Sequence, residues 1–272
     1  MIEREDGLKI DPLPVTAGMP EKNIISFVAH DAQVEVHRHH CFQILLGLSA
    51  PFSSHIGGSL HADRRALVIN QNVSHACNGL GGSNLIFFID AESRTGWQLR
   101  QMLDGQPILD LTEMWLEARP HSPAMEEIQA WPHARRLAEA EASLALVTAD
   151  RQQATGRDSR IEQAIAWVEQ HLHEKIALPD VAAQIHLSPE RTRHLFVQEA
   201  GVSFSQFLMW KRIKAAIVHA VRDGASLTEA AASSGFADQA HFCRLFKRTF
   251  GIPAGGLLQN SRSIQFIHPA VS

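Results

Sequence analysis

Two kinds of residue in this 272-residue chain owe their chemistry to spacing. The first are histidines: His37, His39 and Gln43 fall in the run His37-Arg-His-His-Cys-Phe-Gln43, and His75 follows in Ser74-His-Ala-Cys77. On a strand, alternation points His37 and His39 to one face, and a later strand carrying His75 is placed to cross them. Imidazoles gathered in this way suit Zn, Ni, Cu or Fe. The thiols of Cys41 and Cys77 favour a softer ion, Cys41 on the same inward face and Cys77 on a turn, whereas the neutral amide of Gln43 is a poorer ligand than a carboxylate. The competing use of the region is a pocket, with Phe42, Leu46, Cys41 and Cys77 as lining and core packing as the alternative for the apolar pair. His40, His55 and His61 read as surface or pocket histidines.

The second kind belongs to an internal repeat. His194-Leu-Phe-Val-Gln-Glu-Ala-Gly201 returns fifty residues later as Arg244-Leu-Phe-Lys-Arg-Thr-Phe-Gly251, so one unit is used twice. In the first copy Pro179 and Asp180 suit a first helical turn, Val181, Ala182, Ile185 and Leu187 supply a core, and Ser188-Pro189 opens a second helix. In the second copy Ser226-Leu-Thr-Glu229 is a capping box, Ala230, Ala231 and Phe236 take the core places, and Asp238 caps the next helix. Each copy therefore reads as helix, tight turn, helix. Gly235 supplies the positive φ such a turn requires, while His186 holds the corresponding place in the first copy at some cost. Phe204, Phe207, Leu208, Ile213, Ile217 and Val221 recur at helical spacing, which predicts one long helix between the copies.

The rest of the chain divides by composition. Short apolar runs from Ile24 to Ile89, broken by Gly, Asn, Ser and Pro, read as a compact antiparallel β unit. Residues 97–103 and 132–148 have helical periodicity, residues 150–157 are polar, and Ser159-Arg-Ile-Glu162 reads as a capping box opening the helical half. The net charge of −4 hides an asymmetry: residues 1–155 hold 12 Lys and Arg against 19 Asp and Glu, residues 156–272 hold 13 against 10. A mildly basic C-terminal half suits phosphate neutralisation. No apolar run reaches the roughly 18 to 20 residues of a membrane span, the acidic start is unlike a secretory leader, and three cysteines suit free thiols. A cytoplasmic protein without membrane partners is expected.

From Ala231 to Pro253 the pairs Gly235-Phe236 and His241-Phe242, the run Arg244-Leu-Phe-Lys247, and Phe250-Gly-Ile-Pro253 resemble the signature of the AraC/XylS family of transcriptional regulators. The likeness covers about a hundred residues with the repeat at the right spacing. It departs after Pro253, where Ala-Gly-Gly-Leu-Leu-Gln replaces the usual aromatic-Arg pair and puts the last helix in question. The histidine runs similarly resemble the two cupin motifs, with Gln43 where metal cupins tend to have Glu. The resemblance implies an α+β chain: an N-terminal cupin-like β-barrel with flanking helices, then an all-α domain of two helix-turn-helix units joined by a long helix. The expected boundaries are 1–150 for sensing and dimerisation, 151–158 for a linker, 159–258 for DNA binding and 259–272 for a tail.

A helix-turn-helix unit lays the N-terminal half of its second helix in the major groove. The groove-facing candidates are Glu190, Arg193 and His194, then Gln239, Ala240, His241, Cys243 and Arg244. Arg193 and Arg244 have the fork for guanine, Glu190 accepts from a cytosine amine, Gln239 pairs with adenine, and phosphate contact is the alternative for the arginines. Lys211, Arg212, Lys247 and Arg248 suit backbone contacts or internal ion pairs, and Phe196, Phe246 and Phe250 the core. The function implied is a non-enzymatic, promoter-binding regulator, an activator by family habit. It is expected to act as a homodimer, with residues 132–148 as the dimer contact and intramolecular packing as the alternative for them, to meet RNA polymerase, and to answer to a small molecule or a metal ion. The alternative is a metal-dependent cupin enzyme with a DNA-binding tail, using His37, His39 and His75 for iron; it lacks a second-motif carboxylate and a nominated general acid.

Overall fold

Two long strands organise the first half of the molecule, because their apolar residues are continuous enough to be covered on both faces. In the computed structural model, which describes residues 9–10, 24–149, 158–255 and 264–266, these are β2 (Ile24–His37) and β7 (His75–Ile89). Around them lie β1 (Lys9–Ile10), β3 (Phe42–Gly47), β4 (Phe52–Ile56), β5 (Ser59–Arg64), β6 (Ala66–Ile69), β8 (Ile108–Asp110) and β9 (Ile264–Phe266). Every pairing is antiparallel, along the path β1-β2-β7-β3-β6-β8. β7 bends so that residues 84–89 pair with β3 while residues 75–78 pair with β4, and the sheet curls into a nearly closed, barrel-like unit. The β4–β5 hairpin had no counterpart among the expected strands. The strip containing Cys77 is strand and not turn.

Alternation sorts the sheet's side chains into two cores. Phe42, Ile44, Leu46, Leu85 and Phe87 face outward, onto Leu99 and Leu103 of α1 (Arg94–Leu103), Trp115 of α2 (Thr112–Ala118), Ile128 of α3 (Met125–Gln129) and Leu144 of α4 (His133–Thr148). Leu45, Phe52, Ile86 and Phe88 face inward, with Cys41 and Cys77. The pocket expected from Phe42, Leu46, Cys41 and Cys77 is thereby corrected. Strand register puts Phe42 and Leu46 on the opposite face from both cysteines, where they are core beneath helices.

The second half is helical: α5 (Ser159–Gln170), α6 (Leu178–Gln184), α7 (Pro189–Ala200), α8 (Phe204–Arg222), α9 (Leu227–Ser233) and α10 (Gln239–Phe250). Asp158, not Ser159, caps α5, accepting from Arg160 N at 2.9 Å. Ser188, Ser226 and Asp238 cap α7, α9 and α10 as read. Both turns use a left-handed residue, His186 at φ 53° and Gly235 at φ 77°. The two turns differ by one residue, since Leu187 leads directly to its N-cap while Ala237 intervenes after Phe236. α8 is the long helix between them, about 28 Å at 1.5 Å per residue. Of the expected linker only Asp158 is described, and of the expected tail only residues 264–266, which pair with β2; the remainder of both lies outside the described residues. Among described helices none is long and apolar enough to cross a membrane.

Candidate nucleic-acid interface and metal centre

The second helix of each module presents an exposed stripe. On α7, Glu190, Arg193 and His194 are exposed, with Glu190 paired to Arg193 and to His194 Nε2 at 3.0 Å. On α10, Gln239, Ala240 and Arg244 are exposed, followed by Lys247 and Arg248. Gln239 lies 2.6 Å from the Thr228 hydroxyl. His241 is half-buried against Phe236, with ring centroids 5.7 Å apart, and Cys243 is half-buried against the core. The exposed stripe therefore omits His241 and Cys243, both half-buried.

The structure also brings the three histidines together. The β2–β7 register places His37 opposite His75, and a β-bulge between Val34 and His37 adjusts the face that His37 occupies. One ring nitrogen from each of His37, His39 and His75 lies within 4.8 Å of the others, and all three side chains are buried. Each Nδ1 meets a backbone carbonyl: His37 with Glu35 O at 2.8 Å, His39 with Cys41 O at 2.9 Å, His75 with Val73 O at 2.9 Å. A carbonyl only accepts, so each Nδ1 carries the proton and each neutral ring keeps its lone pair on Nε2, the arrangement in which a histidine ligates metal. Burial favours the neutral form, lowering His39 to about 4 and His75 to about 2, helped in each by the neighbouring imidazoles; His37 is lowered by burial too.

Gln43 sits across this cluster, Oε1 at 2.8 Å from both His39 Nε2 and His75 Nε2. Three acceptors at that range repel. A cation shared among them relieves the repulsion; turning the amide, so that its NH₂ donates to both rings, is the metal-free arrangement. Three imidazole nitrogens and one amide oxygen form a borderline donor set that fits Zn, Ni, Cu or Fe. Cys41 Sγ, 3.4 Å from His39 Nδ1, faces the protonated nitrogen, and burial raises both thiols, Cys77 to about 11 and Cys41 well above its ordinary value.

Sequence reasoning offered Lys211 for a backbone contact or an internal ion pair, but missed the partners that gather around it. At the end of β7, Asp90 accepts from Trp210 Nε1 at 2.8 Å, Lys211 Nζ at 2.8 Å and Lys214 Nζ at 2.7 Å; Lys211 also reaches Glu92 at 2.6 Å and Glu169 at 2.8 Å. Burial alone would raise the Asp90 carboxyl, but the two ammonium groups hold it below its ordinary value. Glu92 is pushed up by burial. Lys211 is thus an internal ion-pair residue, and Arg212 donates to Leu172 O and Glu174 O. The available signal was a pair of lysines on the apolar side of a long helix.

A family profile described as a helix-turn-helix domain matches residues 181–260. The transcriptional activator RhaS of Klebsiella pneumoniae is 33% identical over 99 residues, 36% of each chain. The regulatory protein PocR of Salmonella typhimurium is 28% identical over 98 residues, 36% of this chain and 32% of that one. The chain thus spans about a third of the length of these relatives. The solved structure of ToxT from Vibrio cholerae covers 88% of this chain and 98% of its own at 11% identity and a TM-score of 0.53, and its form with bound unsaturated fatty acid covers 89% and 97% at 12% and 0.53. That likeness is one of fold. The helical half is a double helix-turn-helix domain, similar in sequence to the corresponding part of these transcriptional regulators.

Proposed function

We propose that this chain is a sequence-specific DNA-binding transcriptional regulator, an activator working as a homodimer, whose barrel senses a divalent cation. The observation that carries the reading is the pair of capped helix-turn-helix modules, each with its left-handed turn residue and an exposed Arg-bearing stripe on the second helix. In this reading residues 159–258 bind promoter DNA in the cytoplasm and meet RNA polymerase, and residues 1–150 sense and dimerise. Ala134, Ala138, Ala142 and Ala145 give α4 an exposed small-residue face on which a second copy would pack. A cation is favoured as effector over an organic molecule by size. The barrel cavity, lined by Phe27, Phe88, His37 and Gln43 among others, holds about 40 Å³, against the roughly 150 Å³ of a site that admits benzene. His37, His39, His75 and Gln43 would hold the ion, which acts as a signal and not a reagent.

Mapping the chromosomal sites this protein occupies, followed by titration of the best site at two salt concentrations, tests the reading. Discrete promoter-proximal sites, bound well above the non-specific background, are expected. Uniform, salt-sensitive binding with no preferred site would overturn it.

A further inference from the structure

The second module is in contact with the histidine cluster. Phe250, in the last turn of α10, meets Phe88 edge-on with centroids 5.0 Å apart, and Phe88 meets His39 edge-on at 5.2 Å. Gly251, the C-cap of α10 at φ 72°, rests directly on β2. A Cβ there would stand 2.7 Å from Val34 Cγ1, 2.8 Å from Glu35 O and 3.0 Å from His37 Nδ1. Glu35 O is the carbonyl that fixes the tautomer of His37, and it lies in the β-bulge between Val34 and His37. A bulge is where a strand is locally re-aimed. Phe250 and Ile252 also wall the barrel cavity beside His37 and Gln43. The first module meets the barrel differently, through hydrogen bonds from Arg100 to Glu199 O at 3.0 Å and from Gln71 to Ala200 O at 3.4 Å.

We propose that a cation on His37, His39, His75 and Gln43 is read by the second module alone: it fixes the Val34–His37 bulge and the Phe88 ring, and these set the position of α10 while α7 keeps its place. The proposal rests on the metal and DNA readings above. Gly251 and Phe250 are positioning residues in it, acting on DNA through α10. Coupling of this kind is reciprocal, so whatever displaces α10 changes the affinity for the cation by the same factor as the cation changes the affinity for DNA.

The test uses the full chain, stripped with chelator and then titrated with Zn²⁺ or Ni²⁺. Hydrogen exchange read by mass spectrometry is expected to slow in residues 34–43 and 73–77 and also in residues 245–252, with residues 189–200 unchanged. Gly251→Ala, which presses on Glu35 and His37, is expected to weaken Zn²⁺ binding about tenfold, within the usual span of coupling between sites. Because that variant carries strained backbone, Val34→Ala, which relieves the same contact, is measured beside it and is expected to shift Zn²⁺ affinity and the exchange of residues 245–252 together. Protection confined to the ligand strands, or equal protection of α7 and α10, would overturn the proposal with the metal site intact. Failure to retain either ion would overturn the metal reading itself, and the coupling with it.

Discussion

The two helix-turn-helix modules come from one repeated unit, yet they are built into the molecule in opposite ways. The first has its own core: Ile161, Val168, Val181, Leu195, Phe196 and Phe207 belong to a cluster drawn from the helical half alone. The second has none of its own. Phe236, Phe242, Phe246 and Phe250 belong to the cluster that also contains Phe27, Leu45, Ile86 and Phe88 of the barrel. A module with a private core is insulated from its neighbour's packing, whereas one that shares a core with the barrel must register changes there, because packed interiors respond to shifts of a methylene or less. Duplication supplied two alike modules, and packing tied one of them to the barrel.

The contrast breaks most severely at the ionic junction, where the largest effect is expected. Asp90→Ala leaves Lys211 and Lys214 buried without their shared carboxylate, and removing one partner of a buried pair costs about 3 to 5 kcal/mol. Chemical denaturation should show the loss, with the second module and barrel failing together. Since its neighbours depress the Asp90 carboxyl, its contribution is complete above the ordinary aspartate range and is lost only as pH falls through the lowered value. The buried His39 and His75, lowered to about 4 and about 2, cost stability as pH falls below their ordinary value in any case. The Asp90 contribution is therefore read as the gap between the native and Asp90→Asn profiles, and a gap that closes well above the aspartate range would contradict this role.

Cavity mutants sharpen the comparison next. Phe196→Ala and Phe246→Ala each remove a fully buried ring, at about 3 to 5 kcal/mol. The first should loosen α5–α7 and leave the barrel's near-ultraviolet dichroism and Zn²⁺ binding alone. The second should disturb both. Identical spectroscopic consequences would erase the distinction between private and shared cores.

Much of this was legible in advance. The repeat, three of the four helix caps and the left-handed turn residues are local signals, written in Ser188-Pro189, Ser226-x-x-Glu229, Asp238, Gly235 and His186. The histidine set was legible in part: His75 lies on a later strand opposite His37, but His39 lies beyond the end of β2, in the connection to β3, so strand alternation is not what places it. What was not legible depends on register between distant segments: Phe42 and Gln43 are adjacent, and only the β3–β7 pairing decides which of them faces inward. The Asp90–Lys211–Lys214 junction joins residues about 120 positions apart, and the shared core depends on how two domains meet. Neither leaves a periodic trace.

At the DNA stripe the expected effects are smaller. Arg244→Ala should weaken specific binding by about 1 to 3 kcal/mol if the guanidinium reads a base, with non-specific binding less affected. Arg193→Ala, whose side chain is engaged by Glu190, should cost less, because freeing the guanidinium offsets part of the gain on DNA. Parallel titrations on matched and scrambled sites separate the cases, and equal losses on both sites would assign the arginine to phosphate.

The smallest effect tests the turns. His186 holds φ 53° and Gly235 φ 77° at equivalent places, but a side chain meets different surroundings in each. A Cβ on Gly235 would run into Leu172 O and stand 2.9 Å from Arg212 Nε, whereas His186 is exposed. The left-handed cost at His186, about 1 to 2 kcal/mol for an ordinary residue, is therefore the whole of its penalty, and glycine there also gives up about 0.5 to 1 kcal/mol in chain entropy. His186→Gly should stabilise by about 1 kcal/mol or less, while Gly235→Ala should destabilise by more than that, since backbone strain and collision add. Measured midpoints that move by equal and opposite amounts would mean that the turn dihedral alone decides, and that the packing of Leu172 and Arg212 against the second turn contributes nothing.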